Sequence, residues 1–150
     1  MITITPDDVR EFGDLPKEEF IDNGKIEKHI KVANNDYLGI FPDDFVLTDL
    51  TPKQIKRLND SVEELKIRLT LISIIPFVNT MYVDGFAKYG EGDTLGQRFY
   101  APHEVKGLVR MNSDKNIKII ANIEKITKVT AVGIVKDKSG ISFTVIGGGQ

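Results

Sequence analysis

One stretch limits the possible folds more than any other: residues 49–85, DLTPKQIKRLNDSVEELKIRLTLISIIPFVNTMYVDG. Thr51 before Pro52 is a helix-start signal. The threonine oxygen can cap free amides, and proline at the first helical position loses no hydrogen bond. Ile55, Leu58, Val62, Leu65, Leu69 and Ile72 follow at steps of three and four, with Lys56, Arg57, Asp60, Glu63, Glu64 and Lys66 off that stripe. Such spacing predicts one amphipathic helix. From residue 69 to 78 the chain is apolar almost all round, so this half belongs between other elements. Pro76 removes a backbone hydrogen bond and crowds the preceding turn, which predicts a kink or break near Ser73.

Upstream, Thr5-Pro6-Asp7-Asp8 is a second helix start, with acids at the positive end of the helix dipole. Gly13-Asp14-Leu15-Pro16 keeps that helix short. After the turn at Asp22-Asn23-Gly24, Ile26, Ile30, Ala33 and Tyr37 share one face of a helix over about 24–38, closed by Gly39 and Pro42. Phe41 and Phe45 flank Pro42-Asp43-Asp44 and are read as pins holding this turn to the core.

Downstream the pattern changes. Residues 86–102 hold Gly90, Gly92 and Gly96 with four aromatics and no helical period, which reads as a long loop or irregular hairpin. Residues 116–128 fit either a strand or a helix, and helix is the reading adopted. Residues 129–136 and 141–146 flank Asp137-Lys138-Ser139-Gly140, with Ile141, Phe143 and Val145 alternating with polar residues. That pattern predicts a β-hairpin. The expected class is therefore α+β: an N-terminal helical bundle around one long Pro-kinked helix, with a C-terminal β-hairpin, all in one domain of 150 residues.

Chemistry-bearing constellations are few. Gly90-Glu91-Gly92-Asp93-Thr94-Leu95-Gly96 has phosphate-loop composition, but it follows a helix instead of a strand and lacks the Gly-Lys-Ser/Thr ending. His29 and His103 have no second ligand at metal spacing, and no cysteine is present. The pairs Asp7-Asp8, Glu18-Glu19 and Asp43-Asp44 are adjacent in sequence, so in a helix they diverge by about 100°. Ser73 and Ser142 lack a local histidine or a nucleophile elbow. The expectation is no enzyme, no cofactor and no metal.

Charge is uneven. Residues 1–50 carry 5 Lys/Arg against 12 Asp/Glu, net −7, whereas residues 101–150 carry 8 against 4, net +4. An acidic head and a basic tail could pair between copies, or simply form a solvated surface. The apolar run of 69–78 is short of the roughly 20 residues a membrane span needs. The N-terminal residues lack a signal-peptide pattern, so an intracellular chain is expected. Arg98, Phe99, Tyr100, Phe143 and Val145 are interface-type residues in segments that do not read as core, although they could equally close this chain's own core.

The order of elements over residues 2–86, with a Thr-Pro-Asp-Asp start, the helix KIEKHIKVANNDYLGIF and a long helix ending in Ile75-Pro76-Phe77-Val78-Asn79, resembles the head–tail connector (adaptor) proteins of tailed bacteriophages. The resemblance implies a non-enzymatic virion protein at the head–tail junction. It would form a ring, usually of twelve copies, beneath the portal, extend the DNA channel and dock the stopper or tail. Implied partners are other copies of itself, the portal, a stopper or tail protein, and DNA passing without sequence-specific contact. Asp7 and Asp8 are the acids expected to face that channel. Only the segment at residues 75–79 transfers position by position, as a core and helix-ending motif. The alternatives are a small bacterial regulatory or ligand-binding module using residues 86–102, and an enzyme whose site is assembled from scattered residues.

Overall fold

The computed structural model describes residues 2–81, 100–137 and 140–145. Helix α1 (Pro6–Gly13) begins where Thr5 and Asp8 form a reciprocal cap, the Thr5 amide donating to the Asp8 carboxylate at 2.7 Å. Helix α2 (Asn23–Ile40) is capped by Asp22, whose carboxylate accepts from the Gly24 amide at 2.6 Å. Helix α3 (Pro52–Ile74) opens with the Thr51/Gln54 equivalent of the first cap. Pro76 then sits in a single 3-10 turn (Ile75–Phe77), followed by the short helix α4 (Val78–Met81). The missing amide of Pro76 is thus accommodated by tightening the helix.

Helix α5 (Pro102–Thr127) is the longest element. It starts at Pro102 instead of near Asn116, and the Glu104 carboxylate caps it by accepting from the Ala101 amide at 2.8 Å. It ends at Lys128, whose left-handed backbone (φ 60°) donates back to Glu124.

Two clusters make up the core, and α3 runs through both. Ile67, Leu71 and Ile74 pack with Val9, Phe20, Ile21, Ile26 and Ile30 and with Val78 and Met81. Leu58, Val62, Leu65 and Leu69 pack with Ala33, Ile40, Phe41, Ile120 and Ile123, so the two clusters overlap along the helix. The expected stripe positions Leu58, Val62, Leu65 and Leu69 are all buried. Full burial of each such side chain contributes roughly 1.5–3 kcal/mol. Gly13 allows α1 to approach α3, since a Cβ there would stand 2.4 Å from Cδ2 of the buried Leu71.

Polar stitches join the elements. The buried Arg10 donates to the Pro16 carbonyl at 3.0 Å, to the Ile21 carbonyl and to the Asn23 side chain, tying α1 to the 16–23 connection. Arg68 pairs with Glu64, donates to Asn112 Oδ1 at 2.9 Å and covers the Phe12 ring, joining α1, α3 and α5.

The α+β class expected from the sequence is corrected. The body is helical, and both core clusters are built from helices and their connections. A C-terminal β-hairpin is not supported as a layer of the fold. Strand geometry among the described residues is confined to β1 (Ile134–Asp137) and β2 (Gly140–Val145), one short antiparallel ladder. Two such strands are marginal as a folding unit on their own, so alternating apolar residues here do not define the architecture. The expected 86–102 loop lies almost wholly outside the described residues.

Candidate functional site

Of the residues expected at an interface, Arg98 and Phe99 lie outside the described residues. Phe143 and Val145 fall in β2. Tyr100 is half-buried and packs against the first core cluster. Its backbone is held by Asn79, whose amide donates to the Tyr100 carbonyl at 3.0 Å and whose oxygen accepts from the Tyr100 amide at 2.9 Å. Asn79 therefore joins the end of α4 to the start of α5, a role its place in the helix-ending motif did not reveal. Asp7 is exposed and forms an ion pair with Arg10 at 3.4 Å. Asp8 is committed to the α1 cap, accepting from both the amide and hydroxyl of Thr5. The structure does not gather these residues into one site.

It does build a surface at the α2–α3 connection. Phe41 is buried, and Phe45 meets it edge-on with ring centroids 5.3 Å apart. These rings anchor the connection as the sequence indicates, yet the next residue, Val46, is 72% exposed and Leu47 is 42% exposed. Asp43, Asp44 and Asp49 are also exposed, so an anchored tip carries apolar and acidic groups together. Below it lies a cavity of about 310 Å³ lined by Tyr37, Phe41, Phe45, Leu58, Val62 and Lys66, among others. Lys66 lies off the apolar stripe in sequence but is only 2% exposed. Its ammonium donates to the Ile2 carbonyl at 2.8 Å and lies 4.8 Å from the Tyr37 ring centre. Burial pushes the Lys66 pKa down. Burial and then the Asp44 charge push that of Tyr37 up.

A second surface lies on α5. Its outward residues include Lys106, Arg110, Lys115, Lys118 and Lys125, with Asp114 among them. At 100° per residue, Lys106, Arg110, Lys118 and Lys125 fall within about a third of the helix circumference. A shallow depression of about 340 Å³ on this face is lined by Gly107, Arg110, Met111, Asp114, Lys115 and Lys118. Met111 is 47% exposed. The spacing of these cations is present in the sequence, but it acquires meaning only once residues 102–115 are known to be helical.

His29 is half-buried. Its Nδ1 is 2.7 Å from Ser73 Oγ, a contact between α2 and α3 across 44 residues of chain. Ser73 therefore has a histidine neighbour that local sequence does not show. Among the described residues no carboxylate orients the other ring nitrogen, and burial pushes the His29 pKa down. The pair is a helix-to-helix hydrogen bond without the third group that a nucleophile–base–acid arrangement uses. Among the described residues no group of three or more His, Cys, Asp or Glu could hold a metal ion. No helix among them is long and apolar enough to cross a membrane. Comparison with known families, curated proteins and solved structures finds no match to this chain.

Proposed function

We propose that this chain is a structural virion protein of a phage head–tail junction, a connector that forms a ring beneath the portal, extends the DNA channel and docks the stopper or tail. The observation carrying this reading is the ending of α3. The segment at residues 75–79 behaves as a core and helix-ending motif: Ile75 and Val78 are buried, Pro76 breaks the helix and Asn79 fixes the return of the chain. The same segment leaves Phe77 58% exposed. An anchored, exposed aromatic at a helix end suits a chain that buries further surface on assembly. In this reading Asp7, exposed on α1, faces the passing DNA, where like charge lets a polyanion slide. Asp7→Lys leaving DNA retention and ejection unaltered would remove that part of the reading.

The test is mass photometry of the purified protein alone and mixed with the portal protein encoded nearest to it. A discrete multi-copy complex on the portal is expected. A monomer indifferent to portal would overturn the connector reading. The alternative, a regulatory or ligand-binding module working through residues 86–102, gains no support from Tyr100, which packs inward.

A further inference from the structure

Gly107 lies inside α5, where glycine costs up to about 1 kcal/mol relative to alanine. Its backbone does not require glycine, because Gly133 is the one described glycine with positive φ. Nor does packing among the described residues, since a Cβ at Gly107 would meet none of them within 4 Å. The described residues of a single copy therefore give no reason for this glycine. What it creates is a dent in a mainly basic helix face, with Arg110, Lys115 and Lys118 outnumbering Asp114 around it and the exposed Met111 beside it.

The α2–α3 connection offers the complement. It is a tip anchored by Phe45 against Phe41, presenting Val46 and Leu47 between Asp43, Asp44 and Asp49. Apolar groups match Met111 and the space above Gly107; carboxylates match the ammonium and guanidinium groups, three cations against the single Asp114. Apolar groups with opposite charges around them are the composition of a protein interface. We infer that the acidic tip at residues 43–47 of one copy docks in the Gly107 depression on α5 of a second copy. The contact is heterologous, because two different patches meet, so each copy keeps one free tip and one free groove. Repetition closes a ring or continues as a filament according to the rotation per step. This contact rests on the ring reading above and supplies its interface.

The native chain has no cysteine, so crosslinking between introduced thiols is unambiguous. With a short bis-maleimide, V46C/M111C is expected to give a ladder of covalent multimers, and an equimolar mixture of V46C and M111C a dimer only. The ladder should collapse when D43K/D44K is added to V46C/M111C. In the two-chain format the dimer should likewise be lost when D43K/D44K/V46C is mixed with M111C and return when it is mixed with R110E/K115E/M111C, because opposite charges then meet at the crosslinked junction. Gly107→Ala should raise Tm yet reduce the ladder several-fold, a combination that loss of folding could not give. No ladder from V46C/M111C, or a ladder indifferent to D43K/D44K, overturns the contact. Binding of duplex DNA to the α5 face without copy-to-copy crosslinks would overturn it too, assigning the cations to nucleic acid. If the ladder is absent while portal complexes form, the contact falls and the connector reading survives. If the ladder forms while the protein ignores portal, the contact stands and the connector reading falls.

Discussion

At the scale of single residues, His29 couples folding to pH. Burial holds its pKa below the ordinary 6.5, so the unfolded chain binds a proton that the native chain resists. The sign follows directly. Above pH 6.5 both states are neutral and His29 carries no penalty; as pH falls below 6.5 the unfolded state gains protons first, and stability declines until the folded pKa is passed. Urea denaturation of wild type and His29→Gln at pH 7.5, 6.5 and 5.5 checks this. Wild type should lose more stability than the variant over that interval, and equal losses would place the acid sensitivity elsewhere. Ser73 sets the location, because its hydroxyl fixes the ring against α3 near Phe77. No local sequence pattern joins residues 29 and 73; the pairing exists only once α2 lies on α3.

At the scale of elements, helix starts are the most legible features, because caps are local. Thr5-Pro6, Thr51-Pro52 and the Pro76 interruption all act through neighbours within four residues. The first half of α5 is hidden for a specific reason. Its inward stripe runs Val105, Leu108 or Val109, then Asn112 and Asn116, then Ile120 and Ile123, so two asparagines sit where the period demands apolar residues. Asn112 is reconciled with its burial by Arg68 and by the Leu108 carbonyl. Asn116 is fully buried, and its side-chain amide has no protein partner among the described residues. Gly107 further weakens the helical signal, and the outward basic face is obscured with it. The opposite error affects the C-terminus, where strict alternation suggests an architectural hairpin that the helical body does without. The end of α5 supplies a prediction at this scale. Lys128 adopts the left-handed conformation, which costs an L-residue roughly 1–2 kcal/mol, and it is exposed. Lys128→Gly should stabilise the protein by about 0.5–1 kcal/mol, net of the extra freedom glycine gives the unfolded chain. An unchanged or lower denaturation midpoint would mean that this cap does not limit stability.

At the scale of the whole molecule, the decisive feature is that one helix serves two cores. The first cluster gathers α1, the beginning of α2 and α4 around Ile67, Leu71 and Ile74 of α3; the second gathers the ends of α2 and α5 around Leu58, Val62, Leu65 and Leu69, so the two overlap along the helix. Were the clusters independent, each half could open alone. A continuous α3 opposes this, because fraying it in one cluster removes the packing surface of the other, and an isolated half of this helix would be too short to persist in water. The two cores should therefore unfold as one cooperative unit. Leu65→Ala and Ile74→Ala test this from opposite sides, since both side chains are fully buried, one in each cluster. Each truncation should cost about 2–5 kcal/mol. Hydrogen exchange followed by mass spectrometry should show both variants lowering protection equally at the start of α2 and at the end of α5. If Leu65→Ala loosened only the second cluster, or Ile74→Ala only the first, α3 would be two structural units in one helix. A molecule of that kind could adjust one end while keeping the other fixed; a cooperative one holds the α2–α3 connection and the α5 face in one arrangement until the whole chain unfolds.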